Sequence, residues 1–137
     1  MKVFSDTNLF IYLWEQKSFV KEMEAVMRII EGGGHSVATS TLTLGEVLVH
    51  PLRHGDPMVM KTYTEAMLRL SPIPFDAEAA VLFAQLRASN PNLRPPDAVQ
   101  LACAATGACE LFLTNDNRLA TVQLFGGPKI QALADWA

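Results

Sequence analysis

Lys2-Val3-Phe4-Ser5-Asp6-Thr7-Asn8 joins a short strand candidate, Lys2 to Ser5, to the start of a helix. Asp6 or Thr7 can cap that helix. Its apolar residues recur at i, i+3, i+4 spacing, namely Leu9, Tyr12 and Leu13. Strand-like and helical segments continue to alternate through much of the chain. This alternation predicts an α/β layered fold with a largely parallel sheet.

The later elements are marked by caps, prolines and glycines. The other predicted strands are Ser36 to Ser40, Glu110 to Thr114 and Lys129 to Leu133, with a short strand or extended edge at Pro72 to Phe75. Helices are predicted from Ser18 to the glycines at 32–34, from about Leu44 to a kink or end at Pro51, from Asp56 to about Leu70, from Asp76 to about Ala88, and from Pro95 or Pro96 to Gly107. A short helical turn is expected to start at Asn115-Asp116-Asn117.

The composition is that of a compact globular protein. With 137 residues, 50% hydrophobic and 18% charged, residues 1–137 are expected to form a single domain. The amino terminus lacks the apolar core of a secretory signal, and the weakly polar stretch Val99 to Leu113 is too short and broken to span a bilayer, so we expect a cytoplasmic protein. Cys103 and Cys109 are expected to be buried structural thiols. The net charge of −3 speaks against a long basic groove for nucleic acid.

Four carboxylates stand where strands end or helices begin. Asp6 follows the first strand, Asp116 follows the strand from Glu110, Glu46 lies one or two turns after the second strand, and Asp97 lies at a helix amino terminus. Parallel α/β sheets place binding sites beyond the carboxyl ends of their strands. If the four acids converge there, their mutual repulsion requires a cation to offset it.

Each acid also has a purely structural explanation. Asp6 and Asp116 can be helix caps, which contribute about 0.5 to 2 kcal/mol each. Glu46 can complete a Thr43-x-x-Glu46 capping box, and Asp97 in a first helical turn meets the helix dipole favourably. The short polar neighbours of the acids favour a shared site, because they can orient carboxylates: Thr7, Asn8, Thr114 and Asn115.

The order of the acidic motifs resembles a known family. The motifs are Asp6-Thr7-Asn8, an isolated Glu46, Pro96-Asp97-Ala98 leading into Leu101-Ala102 and Ala104, and Thr114-Asn115-Asp116 before Arg118-Leu119. Together they resemble the PIN-domain ribonucleases, particularly the VapC-like toxins of type II toxin–antitoxin systems. The resemblance implies a three-layer α/β/α sandwich whose acidic pocket binds Mg²⁺ or Mn²⁺ and cleaves RNA.

The resemblance also assigns residues and partners. Asp6, Glu46, Asp97 and Asp116 fall on the family's four acidic positions, and Thr7 and Thr114 on its supporting hydroxyl positions. Asn117 stands where some relatives carry a further acid, which weakens a second metal position. The implied partners are an RNA substrate, a cognate antitoxin and a second copy of the chain.

The chemical hypothesis is metal-assisted hydrolysis, with a carboxylate such as Asp116 or Glu46 activating the attacking water. Two divalent ions would move the formal charge from −3 to +1, which answers the objection from net charge. Arg94 and Arg118 are the cations nearest the acidic motifs and are candidates for contacting RNA phosphates. Most Lys and Arg side chains, however, are simply solvated.

Two other classes of function remain open. One is a noncatalytic RNA-binding or protein-interaction module on the same fold. The other is phosphoryl transfer of the haloacid dehalogenase or response-receiver kind, although Asn8 and Ser5 stand where those proteins need a second acid. His50 and His54 at i, i+4 spacing favour surface or capping roles over a metal site, and Tyr12 and Trp14 favour packing over base stacking.

Overall fold

Four parallel strands form the centre of the protein. The computed structural model describes residues 1–15, 21, 24, 27–28, 31–122, 124 and 126–132, without the side chains at positions 12 and 13. The strands are β1 (Lys2–Ser5), β2 (Ser36–Ala38), β3 (Leu111–Thr114) and β4 (Lys129–Ala132), and their order in the sheet is β2-β1-β3-β4. All three pairings are parallel, as predicted.

Helices follow the strands as the sequence indicated. They are α1 (Thr7–Trp14), α2 (Thr41–Arg53), α3 (Pro57–Leu68), α4 (Ala77–Ser89), α5 (Pro95–Thr106) and a 3₁₀ helix (Asn117–Thr121). Asp56 and Asp76 cap α3 and α4 through their side chains, and Pro95 opens α5. Pro51 does not end α2, which continues to Arg53. The helix predicted after Ser18 falls largely outside the described residues, as does Leu133, the predicted end of β4.

The helices cover both faces of the sheet. Phe4, Ala38 and Phe112 pack in one cluster with Ala79 of α4 and with α5. The rings of Phe4 and Phe112, paired across β1 and β3, are stacked with centroids 5.2 Å apart. Val37, next to Ala38, faces the opposite way, because successive side chains alternate between the faces of a sheet. The result is the three-layer α/β/α sandwich that was predicted.

The second cluster joins α1, α2 and α3 on the other face. Phe10, Val47 and Met67 are buried there, with Val37 and Trp14 packed against them. The centroids of the Trp14 and Tyr63 rings lie 4.7 Å apart, so Trp14 packs against a neighbouring helix, as expected. The side chain of Tyr12 is not among those that the structure describes. The rings of His50 and His54 lie against each other at the end of α2, tilted by 35° with their centroids 4.0 Å apart.

Three further expectations agree with the structure. Ile73 forms a parallel bridge with Ser40, donating from its backbone to Thr39 O at 2.9 Å, so the proline-rich segment is an extended edge. Cys103 and Cys109 are buried and unpaired, and burial raises the pKa of Cys103 to about 11. Within the described ranges, no helix combines the length and apolarity needed to cross a membrane.

Candidate active site

The candidate site lies where the connections of the sheet diverge. From β1 the chain proceeds to β2 on one side, while β3 occupies the other side of β1. Ser5 pairs with Leu113, so the residues that follow these two strands emerge next to each other. Such a switch point leaves a crevice at the carboxyl edge of the sheet. Asp6 directly follows β1, and Asp116 lies two residues after the end of β3, so both acids lie at this crevice.

Asp6 combines a structural and an electrostatic role. Its Oδ1 accepts a hydrogen bond from Thr7 N at 2.8 Å, which caps α1, and its Oδ2 accepts one from Thr114 Oγ1 at 3.2 Å. The residue is only 8% exposed. Burial raises the pKa of Asp6 from 3.8 to about 6, and the negative charges of Asp97 and Glu46 add to the rise, while the hydrogen bonds from Thr7 and Thr114 oppose it.

Glu46 is not part of a capping box. The cap of α2 is Ser40, whose Oγ accepts from Thr43 N at 3.2 Å, so Thr43 already lies in the first turn and the predicted Thr43-x-x-Glu46 box is wrong. The helix starts earlier than predicted because Ser40 leaves β2 and caps it directly. Glu46 Oε1 instead accepts a hydrogen bond from Thr7 Oγ1 at 2.9 Å. The chief structural explanation for this acid is thereby removed.

Gln100 holds the polar side chains behind the acids, and the sequence reasoning missed it. It is 2% exposed on α5, and its Nε2 donates to Thr7 Oγ1 at 2.9 Å and to Thr43 Oγ1 at 2.8 Å. Its Oε1 accepts from Ser40 Oγ. The available signal was an amide on the otherwise apolar Ala98 to Ala104 segment, where a buried polar group must find partners.

The hydroxyl of Thr7 has a defined direction in this network. It contacts Thr43 Oγ1 at 2.9 Å as well as Gln100 and Glu46. A hydroxyl has one proton and two lone pairs. Since a carboxylate oxygen only accepts, Thr7 donates to Glu46 and accepts from Gln100 and Thr43. Every bond of the network is then satisfied, and the Glu46 side chain is held in one orientation by Thr7.

Asp97 and Asp116 are held by arginines. Arg94 Nε donates to Asp97 Oδ2 at 3.0 Å, and Arg94 Nη2 lies 3.5 Å from Asp116 Oδ2. Arg118 donates two hydrogen bonds to Asp116, from Nε to Oδ1 at 2.9 Å and from Nη2 to Oδ2 at 2.5 Å. These hydrogen bonds from the Arg118 side chain are the main reason that the pKa of Asp116 is lowered. Asp116 also caps the 3₁₀ helix, as the structural alternative proposed.

Thr114 connects the two central acids, whereas the asparagines do not. Its Oγ1 donates to Asp6 and accepts from Asp116 N at 3.1 Å. Asn8 is exposed and Asn115 is half-buried, and neither side chain makes a hydrogen bond to another described residue. The hydroxyl residues thus support the acids directly, and the predicted support from Asn8 and Asn115 is not seen in the described contacts.

The donor set suits a hard divalent cation. Asp6 receives hydrogen bonds only from neutral groups among the described residues, and it is repelled by Asp97 and Glu46. Carboxylate oxygens are the ligands that Mg²⁺ and Mn²⁺ prefer. In the described ranges, however, no three acids are drawn together closely enough to hold a metal as they stand. Arg94 and Arg118 occupy carboxylate oxygens that a cation would need.

Comparison with models of protein families gives a match over most of the chain. The model of the PIN domain family matches residues 3–123. No curated protein sequence matches the chain.

Similar solved structures include VapBC2 from Rickettsia felis bound to a promoter DNA fragment, with a TM-score of 0.76, 14% identity and coverage of 96% of this chain and 98% of that chain. A DNA-bound VapBC from Salmonella typhimurium has a TM-score of 0.72, 21% identity and coverage of 97% and 98%. A toxin–antitoxin complex from Klebsiella pneumoniae has a TM-score of 0.70, 23% identity and coverage of 88% and 92%.

Proposed function

Because the chain belongs to the PIN domain family, we propose that it is a metal-dependent endoribonuclease that hydrolyses RNA phosphodiester bonds. The observation that carries the proposal is the environment of Asp6. A carboxylate that is 8% exposed and raised in pKa by burial and by two neighbouring acids is unfavourable in a protein without a counter-ion. A divalent cation would offset both the burial and the repulsion.

The proposed metal ligands are Asp6, Glu46, Asp97 and Asp116. Mg²⁺ or Mn²⁺ bound there would polarise a scissile phosphate. Thr7 and Thr114 fix the orientation of Glu46 and Asp6 through the hydrogen bonds described above. Glu46 or Asp116 would accept the proton of the attacking water.

Arginine release would couple cation binding to substrate binding. A cation held by oxygens of Asp97 and Asp116 would leave the guanidinium groups of Arg94 and Arg118 without their acidic partners. Both side chains are largely exposed, at 57% and 67%, and can turn towards an RNA phosphate. Two divalent ions would also change the formal charge from −3 to +1, which removes the general repulsion of RNA.

The proposed partners rest on the similar structures. Three of them are described as VapBC or toxin–antitoxin complexes, and at this level of identity they establish a common fold. We extend this to a proposal that the chain is the toxin of a type II pair in the cytoplasm, inhibited by a cognate antitoxin and acting as a homodimer. Co-expression of a gene encoded next to it would yield a stable complex that lacks nuclease activity.

A noncatalytic RNA-binding role is the second candidate. It is favoured by the arginine contacts of Asp97 and Asp116, since these acids already have partners without a metal. The family match favours the nuclease over the phosphoryl-transfer class. The two remaining candidates differ in whether RNA is cut or only bound.

Cleavage of single-stranded RNA in Mn²⁺ separates these candidates. We expect Asp6→Asn to lower the rate by at least about 100-fold, since even groups that only orient metal ligands are worth roughly 10- to 100-fold. Asp76→Asn is the matched control, because Asp76 also caps a helix, α4, through its side chain but is not one of the four proposed metal ligands. RNA binding without any metal-dependent cleavage by the wild type would support the noncatalytic role instead.

A further inference from the structure

A cavity of about 620 Å³ opens directly beside the acidic residues. It lies between the loop that precedes α5 and the 3₁₀ helix. Leu93 and Leu119, both buried, and Val122 form an apolar floor, and Asn92 and Thr121 lie on an exposed polar rim. Arg94, Arg118 and Asp97 line the side towards the candidate active site. The volume is in the range of about 300 to 1,000 Å³ that small-molecule sites occupy.

Hydrogen bonds hold both walls of this cavity in place. Arg87 Nε on α4 donates to Leu93 O at 3.2 Å, and Leu93 N donates to Asn90 O at 2.9 Å. On the other wall, Thr121 Oγ1 donates to Arg118 O at 3.0 Å, and Val122 N donates to Leu119 O at 3.1 Å. The cavity is therefore a preformed feature and needs little ordering when a ligand enters.

The arginines at its edge retain hydrogen-bond capacity. Each guanidinium has five N–H donors on three nitrogens. Arg94 and Arg118 use Nε and Nη2 on the two aspartates, and within the described part of the chain no hydrogen bond reaches Nη1 of either residue. The side chains of both arginines are also largely exposed. They offer a stacking surface and a phosphate contact at the same edge.

We infer that this cavity binds the nucleoside on one side of the scissile phosphate in single-stranded RNA. The inference rests on the proposed nuclease function. An unpaired base fits an apolar floor that is flanked by guanidinium planes, and its edges find hydrogen-bond partners on a polar rim. Asp97 lines this cavity and is also one of the four acids. The phosphate attached to the bound nucleoside would therefore lie at the acidic residues, where cleavage is proposed. An acidic peptide is less suited, because a carboxylate side chain would use the guanidinium groups but not the apolar floor, whereas a nucleotide uses both.

Nucleotide binding without divalent metal tests the cavity independently of catalysis. The ¹⁵N-labelled full chain is titrated in EDTA with the four uncharged ribonucleosides, the four 5′-ribonucleotides and single-stranded tetraribonucleotides. The nucleosides test binding of the base without the charge of a phosphate, and so without a cation at the acidic residues. We expect saturable shifts of the amides of Asn92, Leu119 and Val122, and none at His50 and Tyr63, which line a separate cavity. Absence of saturable shifts with every ligand, or shifts confined to the second cavity, would overturn the inference.

Variants that fill the cavity provide the second part of the test. Asn92→Trp and Thr121→Trp place a large ring at rim positions, where it would fill the space of the bound base, and are expected to weaken nucleotide binding by at least about tenfold, or about 1.4 kcal/mol. Thr62→Trp is the control, because Thr62 is an exposed residue on α3. Thermal unfolding verifies that all three variants are folded. Unchanged nucleotide binding in both cavity variants would contradict the inference.

The readouts separate this inference from the proposed nuclease function. If the wild type cuts no RNA but nucleotides bind in the cavity, the nuclease proposal fails and the binding site stands. If RNA is cut and the two cavity variants retain the same base preference and kcat/KM as Thr62→Trp, the nuclease stands and the subsite fails. Binding of an acidic peptide, but of no nucleotide, would assign the cavity to a protein partner and overturn the inference.

Discussion

Asp6 shows how a single side chain can satisfy a structural rule and a functional pattern together. Its Oδ1 caps α1, as the capping explanation required, while its charge is coupled to Asp97 and Glu46. Asp116 is similar, since it caps the 3₁₀ helix and contacts two arginines. Local sequence therefore predicted where these acids lie, but capping and membership of a shared site are compatible and cannot be separated by sequence motifs alone.

The raised pKa of Asp6 makes a prediction about stability. Its folded-state value of about 6 exceeds the ordinary 3.8, so between these pH values the folded chain binds more protons than the unfolded chain. Stability without metal therefore falls as pH rises through this range, by up to roughly 3 kcal/mol. We expect Asp6→Asn to be more stable than the wild type at pH 7.5 in EDTA, because Asn caps helices almost as well as Asp.

Urea unfolding at pH 4 and pH 7.5 measures this difference. The gain should be largest at pH 7.5 and should nearly vanish at pH 4, where Asp6 is protonated in the folded state. Asp76→Asn provides the comparison, as it alters another helix cap without removing charge from the crevice. An Asp6→Asn variant that is less stable than the wild type at both pH values would refute the electrostatic account of Asp6.

Arg118 is predicted to compete with a cation for Asp116. Its Nε and Nη2 atoms lie 2.5 to 3.2 Å from the carboxylate oxygens. Arg118→Ala should therefore tighten Mn²⁺ binding by about two- to fivefold, a modest effect because exposed ion pairs are weak. Calorimetric titration checks this, with Arg69→Ala, an exposed arginine at the end of α3, as the control. Equal tightening in both variants would indicate a general charge effect and not a contact at Asp116.

Among the elements, helix starts were more predictable than their tertiary partners. Asp56-Pro57, Asp76 and Pro95-Pro96 carry local signals, and the structure places α3, α4 and α5 there. The start of α2 was misplaced because Ser40 was assigned to the preceding strand. The cap itself is local, from Ser40 to Thr43, but the contact of Ser40 with Gln100 joins residues 60 positions apart. Such contacts have no local signature, so the Gln100 network was missed with them.

Gln100→Leu is predicted to loosen the contact between α5 and the acidic elements. The change keeps the side-chain size but removes one hydrogen-bond partner from each of three buried hydroxyl groups, those of Thr7, Thr43 and Ser40. Each unsatisfied buried group costs about 1 to 3 kcal/mol. We expect a marked loss in the free energy of unfolding in urea, together with weaker Mn²⁺ binding because Thr7 no longer holds Glu46 in one orientation.

The control for this change is Gln85→Leu, at an exposed position on α4. It makes the same chemical substitution without breaking the buried network, so its stability should remain close to that of the wild type. If the two leucine variants were equally stable, Gln100 would not be the residue that fastens α5 to α1 and α2.

For the molecule as a whole, the sequence predicted the class of fold but not the order of its strands. Alternating elements indicated a parallel sheet between helical layers, and the structure agrees. The order β2-β1-β3-β4 depends on pairing between residues more than a hundred positions apart, such as Phe4 with Phe112. That pairing is what brings Asp6 and Asp116 to one crevice. The arginine contacts of Asp97 and Asp116 likewise became visible only once the fold was known.

The direct test of the central claim is a calorimetric titration of the metal-free full chain with MnCl₂. The acids around Asp6 are proposed to form one cation site, so the wild type and Asp76→Asn should bind Mn²⁺ saturably and with equal affinity. Asp6→Asn should lose at least about 100-fold in affinity, more than the loss of an orienting group would cause. Equal Mn²⁺ affinity in Asp6→Asn and the wild type, or no saturable binding by the wild type, would contradict the account.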